Sequence, residues 1–392
     1  MKDIMKLKEV FKNIFHEDFE RVFFAPGRIN LIGEHIDYNG GHVFPAALTF
    51  GTYALVRRRT DRQCRFYSMN FPEAGVFTVP LGELDYQDAH GWVNYPKAML
   101  RYMLDGREPS FGLDFLYFGD IPNGAGLSSS ASIELVTAVA LNAVYDLNFD
   151  QLDLVKFGQR AENEYIRVNS GIMDQYAVGM GKKNQAMLLD CDTLECTYAP
   201  FEFEDVLVVI MNTNKRRELA DSKYNERRKE CDTALEVLNQ ELNIRALCDL
   251  DSDTLEERQD RFEDETFYRR ARHVVSENER TREALRALQA GDVHRFGELM
   301  NASHRSLDKD YDVTGVELNT LVESAWRHGA IGARMTGAGF GGCAIALVRE
   351  HEIPRFIDEV TADYERQIGY APTCYVASIG EGAHEIKGGS IS

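Results

Sequence analysis

Two stretches of the chain concentrate groups that could do chemistry. The first is Gly27-Arg28-Ile29-Asn30-Leu31-Ile32-Gly33-Glu34-His35-Ile36-Asp37-Tyr38-Asn39-Gly40-Gly41, which sets ionisable and amide side chains between glycines. Glu34, His35 and Asp37 fall within four positions. Hydroxyl groups both donate and accept, and carboxylates and imidazoles pair with both functions, so this cluster suits a hydroxyl-rich ligand. The second stretch is Pro122-Asn123-Gly124-Ala125-Gly126-Leu127-Ser128-Ser129-Ser130-Ala131-Ser132. Its glycines permit φ > 0 and close approach by a ligand. The free N–H groups and dipole of a following helix favour an anion there, and serine hydroxyls add donors and possible metal ligands. The loop suits a di- or triphosphate. It is no Walker loop, because no G-K-[ST] follows the glycines, and it lacks the dinucleotide fingerprint. A plain glycine turn with a serine-rich helix cap has the same composition, so the loop alone does not decide.

The elements around these stretches follow from periodicity. Up to about residue 185 strand signals dominate: Arg21–Ala25 leading into the glycine-studded loop, then Gly51–Arg59, Gln63–Met69 and Gly112–Gly119, where Leu113, Phe115 and Tyr117 alternate with their neighbours. Ser128–Tyr145 carries Ile133, Val136, Ala140 and Val144 at helical spacing, a helix entered from the glycine loop. The second half opens on an apolar strand, Val206–Met211. Two long charged helices follow, Leu219–Glu241 and Thr266–Ala290, with the acidic Asp249–Glu265 between them as a solvated connection or helix face. Ala330–Ala333 then meets a second glycine cluster, Thr336-Gly337-Ala338-Gly339-Phe340-Gly341-Gly342, and the strand Cys343–Val348. The change in character places a domain boundary near 185, giving residues 1–185 and 186–392.

Composition bounds the rest. A chain of 392 residues is long for one core and comfortable for two domains. Its 63 acidic against 44 basic residues give a formal charge of -19, which argues against general nucleic-acid binding while leaving room for a local nucleotide site. Seven irregularly spaced cysteines without a C-x-x-C pair argue against a disulfide framework or structural zinc and point to reduced thiols. The N-terminus reads as an amphipathic helix rather than a signal peptide. No apolar run approaches the ~20 residues of a membrane span. A cytoplasmic protein without a membrane partner is expected.

The Arg28–Gly41 run resembles the galactokinase signature within the GHMP small-molecule kinases. The serine loop resembles that superfamily's phosphate motif, and Met335-Thr336-Gly337-Ala338-Gly339-Phe340-Gly341-Gly342-Cys343 resembles its third motif. All three occur in the family's order across most of the chain. The resemblance implies an α+β, two-domain GHMP-kinase-like fold with the active site in the interdomain cleft. It also implies transfer of the ATP γ-phosphoryl group to the C1 hydroxyl of galactose, by a monomer. Ser170-Gly171-Ile172-Met173-Asp174-Gln175-Tyr176 resembles the segment with the catalytic aspartate. Asp174 would be the base and Arg28 its neighbour on the transferring phosphoryl group. An aspartate, with an ordinary pKa of ~3.9, is a weak base. It suffices where phosphoryl transfer is loose and the proton leaves late. Glu34, His35, Ile36, Asp37, Gly171 and Tyr224 would bind the sugar. Gly124, Ala125, Gly126, Leu127, Ser128, Ser129 and Ser130 would hold the nucleotide, with Ser68 nearby. Magnesium would take Ser130 and Glu162, with Glu164 a close competitor for the latter role and Ser129 or Ser132 possible substitutes for Ser130.

Two other readings share this pattern. A GHMP kinase for another acceptor, such as N-acetylgalactosamine or arabinose, would keep the same motifs. A non-catalytic sugar sensor would be expected to lose catalytic groups or to gain an insertion in the serine loop. Arg28, Asp174 and the compact Ser128–Ser132 loop are all present.

Overall fold

The computed structural model describes residues 4–122, 126–168, 170–201, 203–215 and 220–387. Three sheets and the helices around them make an α+β fold. The largest sheet has six strands in the order His384–Glu385, Arg21–Asn30, Pro45–Arg58, Leu113–Gly119, Gln63–Ser68 and Phe77–Pro80. Only the Gln63–Ser68/Leu113–Gly119 pair is parallel among the named strands. A second, antiparallel sheet runs Gly332–Thr336, Cys343–Arg349, Val206–Asn212, Thr373–Ala377. A third joins His42–Val43 to Gln185–Asp190 and Cys196–Pro200.

The first strand corrects the sequence reading. It does not end at Ala25 but runs on through Pro26 and Gly27 to Asn30. The pairing register shifts between Pro26 and Arg28, a bulge that absorbs the proline's missing donor. Opposite it sits Gly51, where a Cβ would come within 2.0 Å of the Ala25 carbonyl oxygen, so only glycine lets the strands cross there. The consequence is functional: Arg28 stands on a rigid strand rather than a loop.

Ser129–Val144 forms the expected helix against the first sheet. It is buried on nearly all sides, which explains its apolar character around the whole circumference. The charged segments form the helices Ala220–Leu238 and Glu265–Gln289. The acidic 249–265 stretch is mostly short helical turns, Leu247–Asp249, Ser252–Glu256 and Gln259–Arg261, with Leu247 and Leu255 anchored in the core. Among the described residues no helix is long and apolar enough to cross a membrane.

Candidate active site

Arg28 and Asp174 meet as a two-pronged ion pair. Nε and Nη2 of Arg28 each donate to one carboxylate oxygen of Asp174 at 2.8 Å. Arg28 comes from the first strand, and Asp174 from the first turn of the helix Met173–Met180. The remaining guanidinium nitrogen donates to the Gly126 carbonyl at 2.7 Å, tying the pair to the phosphate loop. Ser128 adds an O–H donor to Asp174 at 2.6 Å. Arg28 is only 4% exposed. Burial works against its charge, but the Asp174 carboxylate outweighs that and its pKa lies above the ordinary arginine value.

The pair forms part of the wall of a small pocket with His35, Asp37, Gly171, Tyr224 and Ala338. Asp37 lies against Gly171, where a Cβ would come within 1.9 Å of a carboxylate oxygen. Gly171 is therefore required for the space it leaves. Burial, with Asp174 adding to it, pushes the Asp37 carboxyl up to about 7. Ile36 sends its side chain into the core, and its carbonyl accepts the turn N–H groups of Asn39 and Gly41.

Glu34 and His35 lock onto the third glycine motif. Oε1 of Glu34 accepts the Gly337 N–H at 2.9 Å. Gly337 has φ of 84°, which suits glycine at this turn. Burial holds the His35 pKa down at about 3, so the ring is neutral. Its Nε2 faces the Ala338 carbonyl at 3.1 Å and must carry the hydrogen, which leaves Nδ1 to accept from the Tyr38 hydroxyl at 2.8 Å. Tyr38 in turn accepts from Tyr311, and Tyr311 from the Cys231 thiol. Both imidazole nitrogens are engaged within the protein. The Tyr224 ring packs 5.4 Å from that of His35.

Beside this pocket the serine loop opens onto a second cavity of about 250 Å³. Ser68, Ser129 and Ser130 line it, as placed by sequence, together with Asn70, Phe71, Trp92, Tyr95 and Tyr117, which sequence reading did not find. Asn70 exchanges two hydrogen bonds with the Gly119 backbone and so fixes one wall. Gly126, Leu127 and Ser128 border the Arg28–Asp174 pair; Leu127 accepts from the Arg28 N–H through its carbonyl. Asn123, Gly124 and Ala125 lie outside the described residues.

Glu162 and Glu164 part company on the π-helical turn Ala161–Ile166. Glu164 is exposed and pairs with Arg160 at 2.9 Å. Glu162 is buried, accepts from Ser170 at 2.7 Å and also bonds Ser130. Burial raises its pKa against the pull of those two hydroxyls. Sequence reading missed a further carboxyl, Glu134, which is fully buried and accepts from the Gln175 side chain while its other oxygen has no hydrogen-bond partner among the described residues. Burial, with the nearby Glu162 adding to it, pushes its pKa well above the ordinary carboxylate value.

Comparison with known proteins bears on what this arrangement serves. The galactokinase galactose-binding signature matches residues 9–58, the GHMP kinase N-terminal domain 94–182 and the GHMP kinase C-terminal domain 284–366. A galactokinase of Exiguobacterium sibiricum is 55% identical over 97% of this chain and 98% of its own length. One of Enterococcus faecalis is 54% identical over 96% of this chain and 98% of its own. The crystal structure of Lactococcus lactis galactokinase complexed with galactose superposes with a TM-score of 0.95 at 48% identity, covering 98% of this chain and 100% of that one. A mevalonate kinase at 20% identity and a TM-score of 0.67 shares the fold over 92% of this chain and 99% of its own. With the Arg28–Asp174 pair seated between a glycine–serine loop and the signature residues, and with these relatives matching from end to end, the chain belongs to the galactokinase family of GHMP kinases.

Proposed function

We infer that this chain transfers the γ-phosphoryl group of ATP to the C1 hydroxyl of α-D-galactose, giving α-D-galactose 1-phosphate and ADP in galactose metabolism (the Leloir pathway), as a cytoplasmic monomer. The observation that carries this reading is the two-pronged Arg28–Asp174 pair bonded to Gly126 and Ser128 of the phosphate loop while facing Asp37 and Tyr224. Asp174 accepts the proton of the attacking hydroxyl. Arg28 meets charge on the transferring phosphoryl group with a rigid planar fork. The serine loop and the aromatic cavity hold the nucleotide, and Asp37, Glu34, His35, Gly171 and Tyr224 form the sugar side. Residues 1–185 and 186–392 serve as the working units on either side of the cleft. Incubation with ATP and a panel of sugars, with products identified by phosphorus NMR, tests the assignment. A 1-phosphate of galactose is expected as the main product; turnover of ATP with no galactose ester formed would overturn it.

The residues present fit a magnesium ion. Glu162 and Ser130 offer two hard oxygens beside the loop, and near Glu162 one oxygen of the buried Glu134 has no hydrogen-bond partner among the described residues. When bound, magnesium neutralises charge on the nucleotide's phosphates. Glu162→Ala is therefore expected to raise the magnesium concentration needed for half-maximal rate, and Glu164→Ala to leave it near wild type. A titration with the opposite order would move the metal site to Glu164.

A further inference from the structure

Behind Glu34 stands a train of buried charges that the sugar and phosphate sites do not use. Arg334, on the strand Gly332–Thr336, is fully buried. Its Nη2 lies 2.7 Å from Oε2 of Glu34, an ion pair set off the ideal hydrogen-bond angle. Its other nitrogens donate to the Asn30 carbonyl at 2.9 Å and to the Ser303 hydroxyl at 3.2 Å. Ser303 donates to Oε1 of Glu277 at 2.5 Å. That same oxygen receives the backbone N–H groups of Gly33, at 2.9 Å, and Glu34, at 3.3 Å. The other oxygen of Glu277 pairs with Arg280 at 2.8 Å. One turn earlier on the same helix, His273 donates from Nε2 to the Glu34 carbonyl at 3.0 Å.

Acid and base thus alternate from Glu34 through Arg334 and Glu277 to Arg280. Burial alone would raise the Glu277 pKa, yet Arg280, His273 and Arg334 bring it down to about 2, so the charge is kept. Burying ions is costly, and apolar residues of similar volume often stabilise as well or better. A train of this kind is poorly explained by stability alone. Four of its contacts meet on residues 33–34: the Gly33 and Glu34 N–H groups on Glu277, the Glu34 carbonyl on His273 and the Glu34 carboxylate on Arg334. With one oxygen of Glu34 taken by Gly337 and the other by Arg334, the carboxylate has a single orientation.

We propose that Arg334 is a positioning residue for sugar recognition: it fixes the carboxylate of Glu34, while Glu277 behind it fixes the backbone of the same loop. The proposal rests on the reading of Glu34 as a sugar-binding residue. Among the described residues, the hydrogen bonds and ion pair of Arg334 go to Ser303, Asn30 and Glu34 and none to the serine loop or Asp174. Its effect should therefore reach galactose and spare ATP.

The test is a double-mutant cycle between Arg334→Lys and Glu34→Gln, read as KM for galactose, KM for ATP and kcat separately. Lysine keeps the charge but cannot hold three acceptors in one plane. Arg334→Lys is expected to raise KM for galactose by roughly tenfold or more, with KM for ATP and kcat within about threefold of wild type. In the Glu34→Gln background the same change should add less than about twofold, because the group it acts through is already altered. Multiplying losses, or equal losses for ATP and galactose, would reduce Arg334 to a structural residue. Should Arg334→Lys not unfold cooperatively on heating, Glu277→Gln probes the train from its other end. It is nearly the same shape and is expected to raise KM for galactose alone; an unchanged KM would overturn the proposal. If Glu34→Gln by itself leaves KM for galactose unchanged, the sugar-site reading of Glu34 fails first and the proposal falls with it. A normal Glu34→Gln effect with additive behaviour sinks the proposal alone.

Discussion

Asp174→Ala is expected to lower kcat by roughly 10²–10⁴, the range in which a positioned general base contributes. The substitution does more than remove a base. Arg28 is bonded through two nitrogens to Asp174 and is almost wholly buried, so alanine leaves a guanidinium without its counter-charge. Breaking a buried pair on one side costs about 3–5 kcal/mol at most here, since Asp174 itself is 28% exposed and water can enter. Asp174→Asn separates the two effects. It keeps the volume and one acceptor for Arg28 but takes no proton. Both variants should lose turnover alike, while only the alanine variant should unfold several degrees earlier. A variant retaining more than about a tenth of wild-type kcat would remove Asp174 from the base role. Arg28→Lys should also lose chiefly kcat, because the planar fork that holds Asp174 and the Gly126 carbonyl meets charge that grows during transfer.

These roles could be proposed from the sequence because the motifs are contiguous. The sugar loop, the serine loop and the segment around Asp174 each carry their chemistry within a dozen residues, so residue type and order suffice. What was not legible has physical causes. The first strand runs through Pro26 and Gly27, two residues that locally argue against a strand, and the bulge that admits them is a pairing property invisible in one segment. The segment read from sequence as a long charged helix, Thr266–Ala290, forms the helix Glu265–Gln289, and its Arg270, His273, Glu277 and Asn278 are buried. Its charged face is turned inward because partners from the sugar loop and from Arg334 meet it there. Periodicity reports polarity, and polarity stands for exposure only when no buried counter-charge exists. The cavity aromatics Phe71, Trp92 and Tyr95 lie well before the serine loop in the chain and carry no spacing signal that ties them to it. Glu162 and Glu164 were competitors in sequence because two positions is a short interval. On a helical turn the same interval puts them on opposite faces, and the structure seats Glu162 inward.

The other large effect concerns the sugar itself. Galactose and glucose differ only in the direction of the C4 hydroxyl, so a site that merely encloses the ring would barely tell them apart. A site that hydrogen-bonds one direction of that hydroxyl leaves its own buried group unpaired when glucose binds, at about 1–3 kcal/mol per group and more for a charged one. Sites built to bind a hydroxyl reject analogues lacking it by roughly 10⁴–10⁵, so a ratio of at least ~10³ in kcat/KM for galactose over glucose is a conservative expectation. Asp37 is the candidate reader of that end. It lies against Gly171, and burial, with Asp174 adding to it, pushes its carboxyl up to about 7. Asp37→Ala should narrow the ratio, chiefly by losing galactose. Gly171→Ala should resemble it, because the added Cβ would occupy the carboxylate's place. The raised carboxyl gives a second signature. The ionised form is the full acceptor and the protonated form a poorer one, so KM for galactose should rise as pH falls from about 8 to about 6, and this slope should vanish in Asp37→Asn. 2-Deoxygalactose, with its C4 hydroxyl intact, should remain a measurable substrate. One coupled ATP assay over these sugars and N-acetylgalactosamine, with wild type and variants side by side, decides it: comparable rates on glucose, or faster turnover of N-acetylgalactosamine than of galactose, would overturn the substrate while leaving the kinase in place.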